Sequence, residues 1–325
     1  MEPRNFSNSR AFTLIELLVS VAIIALLIGI LLPSLSAARR QGIATKCRAN
    51  LHVLGHGLVL YSNDHGDAMV PSRLPKSQGD DCNPWAAIHG RRKFRPTFVA
   101  MMSLGVGLPP FEDPQACRNT YDKFGEKGDR QNYSYGTYVC PAVPEWTDER
   151  NGSYGYNYHF LGNSRLRDEN GPKSAYKNWP VQLSSIRYPG STVAVADGMG
   201  TAAHFAPWER LEYSNNAASD DPYTVRRLGN EGFNLDPPRV NPDEENGEMA
   251  DIPHARSAAD PRHSGRTNVL WVDGHVSCET LEQLGYEINP NGSVALGDDL
   301  VNSTANNSKW TGNGKDLPWT FDWEP

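Results

Sequence analysis

Residues 11–33 read Ala11-Phe-Thr-Leu-Ile-Glu-Leu-Leu-Val-Ser-Val-Ala-Ile-Ile-Ala-Leu-Leu-Ile-Gly-Ile-Leu-Leu-Pro33. Between Phe12 and Leu32 only Thr13, Glu16 and Ser20 are polar. As an α-helix, this run is roughly 31 Å long, enough to cross a hydrocarbon core. It is longer than the apolar region of a secretory signal peptide, and Ser34-Leu35-Ser36 makes a poor cleavage site after it. A short polar leader with Arg4 and Arg10 precedes it. Glu16 is the residue that needs a reason, because a carboxylate at mid-bilayer costs roughly 2.5–3.5 kcal/mol on insertion scales.

The helix is expected to continue past Pro33. Cys47, Leu51, Leu54, Leu58 and Tyr61 recur at alternating spacings of four and three, which is one apolar stripe. Asn63-Asp64-His65-Gly66-Asp67 and then Pro71 stop it. The whole helix would be roughly 75 Å long, its first half in lipid and its second half laid against a sheet.

The strands are sought further along. Residues 132–141 read as a strand ending at Cys140-Pro141. Tyr154, Tyr156, Tyr158 and Phe160 alternate with Gly155, Asn157 and His159, the period of a strand. Residues 191–197, Ser-Thr-Val-Ala-Val-Ala-Asp, suit a short buried strand. Residues 205–262 are polar and rich in Pro and Asn, and read as one long loop. Near the C-terminus, 267–272 and 275–278 flank Asp273-Gly274, a strong hairpin signal, since a type I′ turn needs positive φ at both central residues. The expected class is α+β: a long N-terminal helix, half membrane and half amphipathic, on a small antiparallel sheet with long loop insertions. The expected divisions are a leader at 1–11, a membrane helix at 12–33, its amphipathic continuation at 34–66, an α+β domain at 67–297 and an aromatic tail at 298–325. The tail's Trp310, Trp319, Phe321 and Trp323 are expected to pack back on the domain.

Composition narrows the function. The 325 residues carry a net charge of −7 and show no basic stripe beyond Arg39, Arg40, Lys46 and Arg48, so no nucleic-acid partner is expected. Hydrophobic content is 38%, with 29 Gly and 24 Pro, which argues for a loop-rich domain. The 8 Trp, 13 Tyr and 10 Phe still supply a core. Five cysteines, Cys47, Cys82, Cys117, Cys140 and Cys278, show no C-x-x-C; an oxidising compartment would allow two disulfides and a free thiol in any of several pairings, and a pair, if one forms, is expected among Cys82, Cys117 and Cys140.

The block Phe12-Thr13-Leu14-Ile15-Glu16 and its apolar continuation resemble the N-terminus of type IV prepilins and type II secretion pseudopilins. That resemblance implies cleavage between Ala11 and Phe12 by a prepilin peptidase and methylation of the new amine. The family usually has Gly where this chain has Ala11, which is also small. It further implies that Glu16 pairs with the Phe12 amine of a neighbouring subunit and that Pro33 allows the helix to kink or melt in a filament. Partners would be the peptidase, other pilin-like subunits and inner-membrane assembly proteins. The protein would be a single-pass protein of the cytoplasmic membrane, its N-terminus cytoplasmic and its C-terminal domain periplasmic or at the surface. A count of flanking charge alone would orient it the other way.

A second resemblance lies at the far end. His263, nine intervening residues and Asp273-Gly274 form an H-x9-D-G motif, and Ser153-Tyr154-Gly155-Tyr156-Asn157 and 189–197 fit the same large bacterial pilin-like family. The expected function is therefore a structural, pseudopilin-like subunit and not an enzyme, with no catalytic residue and no cofactor. The alternative is a membrane-anchored domain that binds glycans or other polymers. For His263, Asp273, Gly274 and His275 two readings stand: a structural role, or a site for calcium or another divalent metal that Asp197 might join. No EF-hand loop is present. Gly198-Met-Gly200-Thr-Ala-Ala203 lacks the βαβ repeats of a dinucleotide fold, and His52 and His56 lack a metalloprotease glutamate.

Overall fold

A computed structural model describes residues 13–72, 83–88, 91–93, 97–109, 135–144, 152–163, 179–211, 224, 227–229, 232–239, 257–295 and 303–317. The chain divides into two compact units, Met1–Ile43 and Ala44–Pro325. One helix, α1 (Leu14–Asp64), starts in the first unit and ends in the second, and it runs through Pro33. Within the first unit its side chains from Leu14 to Leu35 are almost all exposed.

The second unit is built on the part of α1 that follows Ala44. Cys47, Leu51, Leu54 and Leu58 are fully buried, as the four-three spacing predicts, and Tyr61 is half-buried. The helix ends in a Schellman motif: Gly66 is left-handed at φ +63°, and the Asp67 amide donates to the Ser62 carbonyl at 2.8 Å. A short hairpin, β1 (Asn83–Ile88) with β2 (Arg91–Lys93), comes next, and then α2 (Phe98–Gly105).

The central sheet has four antiparallel strands in the order β3 (Tyr154–Tyr156), β6 (Val193–Asp197), β7 (Thr267–Trp271), β8 (Val276–Glu279). A second pair, β4 (Gly162–Asn163) and β5 (Trp179–Pro180), lies outside it. Both faces of the sheet are covered. On one face Val195, Leu270 and Val272 join the α1 stripe, Phe98 and Met102. On the other, Val193, Ala196, Val269 and Trp271 join Leu284, Tyr286 and Trp310. That double burial explains why β6 reads as an unbroken apolar run rather than an alternation.

Three strand expectations are corrected. Of 132–141, the described part, from Tyr135 on, forms turns, with Tyr138 and Val143 amides closing onto Tyr135 and Cys140. The Gly136 and Val139 carbonyls accept from the Asn50 side chain at 2.6 and 3.2 Å, so this segment is tied to the helix instead of to a strand. The Tyr-rich strand stops at Tyr156. Asn157 turns the chain by donating its side-chain amide to Val193 and Trp310 carbonyls, both at 2.9 Å, and Tyr158–Leu161 is one helical turn, α3. The β7–β8 turn is not type I′: Gly274 has φ +91° but Asp273 stays at negative φ, in a three-residue loop closed by Gly274 N to Trp271 O at 2.9 Å. The long loop at 205–262 is also less idle than expected. Phe233 and Leu235 are buried, and the strand residue Tyr156 exchanges backbone hydrogen bonds with both.

The tail packs back through Trp310, which is fully buried; its indole donates to the Leu284 carbonyl at 2.8 Å and its ring meets Tyr286 edge-on. Trp319, Phe321 and Trp323 lie outside the described residues. Trp310→Ala is expected to cost about 3–5 kcal/mol by the cavity it leaves. Denaturant unfolding of the detergent-solubilised chain checks this; a loss below about 1 kcal/mol would mean that the tail is not part of the core.

Candidate functional site

Two places carry chemistry. The first is the start of α1. Thr13 precedes the first helical residue, and its side-chain oxygen accepts from the Glu16 amide at 3.3 Å. Glu16 Oε2 in turn accepts from the Thr13 amide at 2.9 Å and the Thr13 hydroxyl at 2.8 Å. This is a capping box, S/T-x-x-E, in which two amides left open by the helix start are satisfied reciprocally. The signal is present in Thr13-Leu-Ile-Glu16, where Glu16 is otherwise read as a membrane cost and as the partner of a neighbour's amine. The cap gives Glu16 a partner inside its own chain. Among the described residues its side-chain hydrogen bonds go to Oε2. Further along, Pro33 sits inside the helix, where the Ser34 and Ser36 hydroxyls donate to the Leu31 and Pro33 carbonyls at 2.8 Å each. Ala11 and Phe12 lie outside the described residues.

The second is in the interior of the larger unit. Cys47 comes from the buried face of α1, Cys140 from the turns at 135–144, Asp197 from the end of β6 and His263 from the turn before β7. One ligand-type atom from each lies within 4.8 Å of all the others, and all four residues are buried. Cys47 Sγ is 3.1 Å from Asp197 Oδ1; His263 Nε2 is 3.3 Å from Asp197 Oδ2 and 3.4 Å from Cys140 Sγ. Surrounding groups hold these side chains. The Asn268 amide donates to Asp197 Oδ2 at 2.8 Å, and the Tyr154 hydroxyl lies 3.4 Å from Cys47 Sγ and accepts from Asn50 at 3.3 Å. Arg262 is buried beside the group and pairs with Asp260 at 2.8 Å.

The electrostatics of this group are asymmetric. A hydrogen bond from Cys47 outweighs burial at Cys140, and with a second from His263 it lowers the thiol to about 6. Burial pushes the Cys47 thiol far up, helped by the hydrogen bond to Cys140 and the Asp197 charge. At His263 burial opposes the charged form, but hydrogen bonds to Asp197 and Cys140 prevail and raise the imidazole to about 9. Two sulfurs, one imidazole and one carboxylate so placed can share protons or coordinate a cation.

The structure separates the residues of the H-x9-D-G motif. His263 belongs to the buried group. Asp273 and His275 lie beyond the other end of β7, about 13 Å away along the strand. There Asp273 Oδ1 is 2.6 Å from His275 Nδ1 and accepts the His275 amide at 3.1 Å, both side chains being largely exposed. One ion is therefore not shared by His263, Asp273 and His275, while Asp197 does stand beside His263. Gly274 serves the turn through its positive φ. Cys47 and Cys140 were read as a stripe residue and as a disulfide candidate; three-dimensional packing alone brings them together. Cys140 is a free thiol here, as are Cys47 and Cys278, while Cys82 and Cys117 lie outside the described residues. His52 and His56 are exposed with rings 4.7 Å apart. Gly200 opens a single 3-10 turn rather than a dinucleotide-binding helix.

These features define a class: an α+β protein whose first helix is long and apolar enough to cross a membrane, as no other helix among the described residues is. Residues 6–32 match the family model described as the prokaryotic N-terminal methylation motif. The match supports a prepilin-type segment, of the sort a prepilin peptidase processes, and with the apolar helix it points to membrane anchoring. No curated protein and no solved structure matches the chain.

Proposed function

We propose that this chain is a pseudopilin-like structural subunit, cut between Ala11 and Phe12, N-methylated on Phe12 and assembled through α1 into a secretion- or pilus-type envelope structure. The observation that carries this reading is the methylation-motif match at 6–32 on an apolar helix whose side chains are exposed in the isolated chain. An exposed apolar run of this length needs lipid or other helices around it. In the assembled state Glu16 meets the Phe12 amine of a neighbour, which offsets the desolvation of both charges. The larger unit then faces the periplasm or the cell surface. Its partners are the prepilin peptidase, other pilin-like subunits and inner-membrane assembly proteins. The role in this reading is structural.

Intact-mass and N-terminal peptide analysis of protein from native membranes tests the proposal. The expected mature chain starts at Phe12 and carries a methyl group on its amine. An uncut Met1 start would overturn it and leave a plain anchored domain, for which binding of glycans or other polymers becomes the reading to pursue.

A further inference from the structure

We infer that Cys47, Cys140, Asp197 and His263 form a structural zinc site that fastens α1 to the central sheet. Four observations converge on it. The donor set, two sulfurs, one imidazole nitrogen and one carboxylate oxygen, is the type that zinc takes in four-coordinate sites. Their spacing fits as well. With metal–ligand bonds of about 2.0–2.3 Å, the edges of a tetrahedral site fall at roughly 3.3–3.8 Å. The observed separations are 3.1 Å for sulfur to oxygen, 3.3 Å for nitrogen to oxygen and 3.4 Å for sulfur to nitrogen. Asp197 presents Oδ1 to Cys47 and Oδ2 to His263, and the remaining donor pairs lie within 4.8 Å, so coordination draws the four donors together by up to about 1 Å.

Supporting groups surround the ligands, as metal sites require. The Asn268 amide and the Tyr154 hydroxyl orient Asp197 and Cys47. Charge closes the argument. Two thiolates and a carboxylate around Zn²⁺ leave one net negative charge, which would be costly in a buried place without a cation nearby. Arg262 supplies one: its side chain is buried, it is adjacent in sequence to His263 and it interacts electrostatically with Asp197, Cys140 and Cys47 as well as with its partner Asp260, which Arg210 also faces. On binding, both sulfurs end as thiolates and His263 as the neutral imidazole, every proton these three side chains held passes to solvent, and no electron is transferred. All four zinc positions are filled by protein, so the ion is structural and has no open position for a substrate. The inference does not depend on filament assembly, since every ligand belongs to the Ala44–Pro325 unit.

The test uses the full chain in detergent, expressed with zinc supplied and purified under reducing conditions. Wild type and Cys278→Ser, whose cysteine is outside the group, are expected to hold about one zinc per chain by elemental analysis, and Cys47→Ser and Asp197→Asn close to none. Because those variants could fail to fold, a second measurement uses wild type alone. After zinc is removed, Co²⁺ is added, and thiolate-to-cobalt charge-transfer bands with tetrahedral d–d bands are expected, both abolished by added zinc. Wild type without stoichiometric zinc and without these bands would overturn the inference. So would a non-reduced native mass showing a Cys47–Cys140 disulfide, because the two sulfurs would then be unavailable as ligands.

Discussion

Glu16→Leu is expected to insert into the membrane at least as well as wild type and to be lost from any assembled structure. Leucine favours the bilayer where glutamate opposes it by roughly 2.5–3.5 kcal/mol, so anchoring cannot be what fails. Assembly loses a buried ion pair at every subunit contact and leaves the Phe12 amine without its partner, a penalty of about 3–5 kcal/mol, or hundredfold and more in affinity. The capping box complicates the experiment in a useful way. Glu16 also accepts from Thr13, and leucine removes that cap together with the charge. Glu16→Gln separates the two, because glutamine can serve in a capping box but cannot form an ion pair. Sheared-fraction or cross-linking assays should show Glu16→Gln as deficient as Glu16→Leu. If glutamine restores assembly, the carboxylate matters only as a helix cap and the pairing with a neighbour's amine is wrong.

Gly57→Ala is expected to destabilise the larger unit strongly. A Cβ there would stand 2.1 Å from the Met102 carbonyl oxygen, in the backbone of α2. That contact is not relieved by a rotamer change; one helix must move from the other. The intrinsic helix preference for alanine, up to about 1 kcal/mol, acts in the opposite direction. The overpacking cost, about 3 kcal/mol or more where backbone must move, outweighs it. Gly55→Ala is the instructive comparison. Its closest neighbour, at 2.7 Å, is the Leu270 Cδ1 methyl, the end of a side chain that can turn away. Its cost should be clearly smaller. Denaturant midpoints of the two variants check the order, and equal values would mean that α1 and α2 are not held together as closely as the structure has them.

The helix was legible because its signals are local: an apolar run, a four-three stripe, then Gly66 at the stop. The β7–β8 hairpin was legible for the same reason, since its turn residue and both strands lie within a dozen positions. The turn type was not, because whether Asp273 joins Gly274 at positive φ depends on loop length, which strand ends set. The Cys140 segment misled because its carbonyls are satisfied by Asn50, a residue 86 to 89 positions away. The buried group was half legible: Asp197 and His263 were singled out, but Asp273 and His275 drew attention by adjacency in sequence. Cys47 and Cys140 sit 93 positions apart on unlike elements, and no spacing rule connects them. The closely packed glycines of α1 could have been noticed, since two glycines in one helical turn are expensive without a neighbour to accommodate.

The long reach of these contacts has a consequence for the order of events as the chain is made. Cys47 meets Tyr154, 107 positions on, and Asp197, 150 positions on; Asn157 meets Trp310 across 153. Chains dominated by such distant pairings fold slowly, because the entropy of closing each loop is spent before any contact returns it. The centre of the domain also lacks β7 until residue 271 has emerged, and its second core lacks Trp310 until residue 310 has. Until those residues are made, the apolar side chains of both cores lack their partners, and incomplete chains carry exposed surface that favours aggregation.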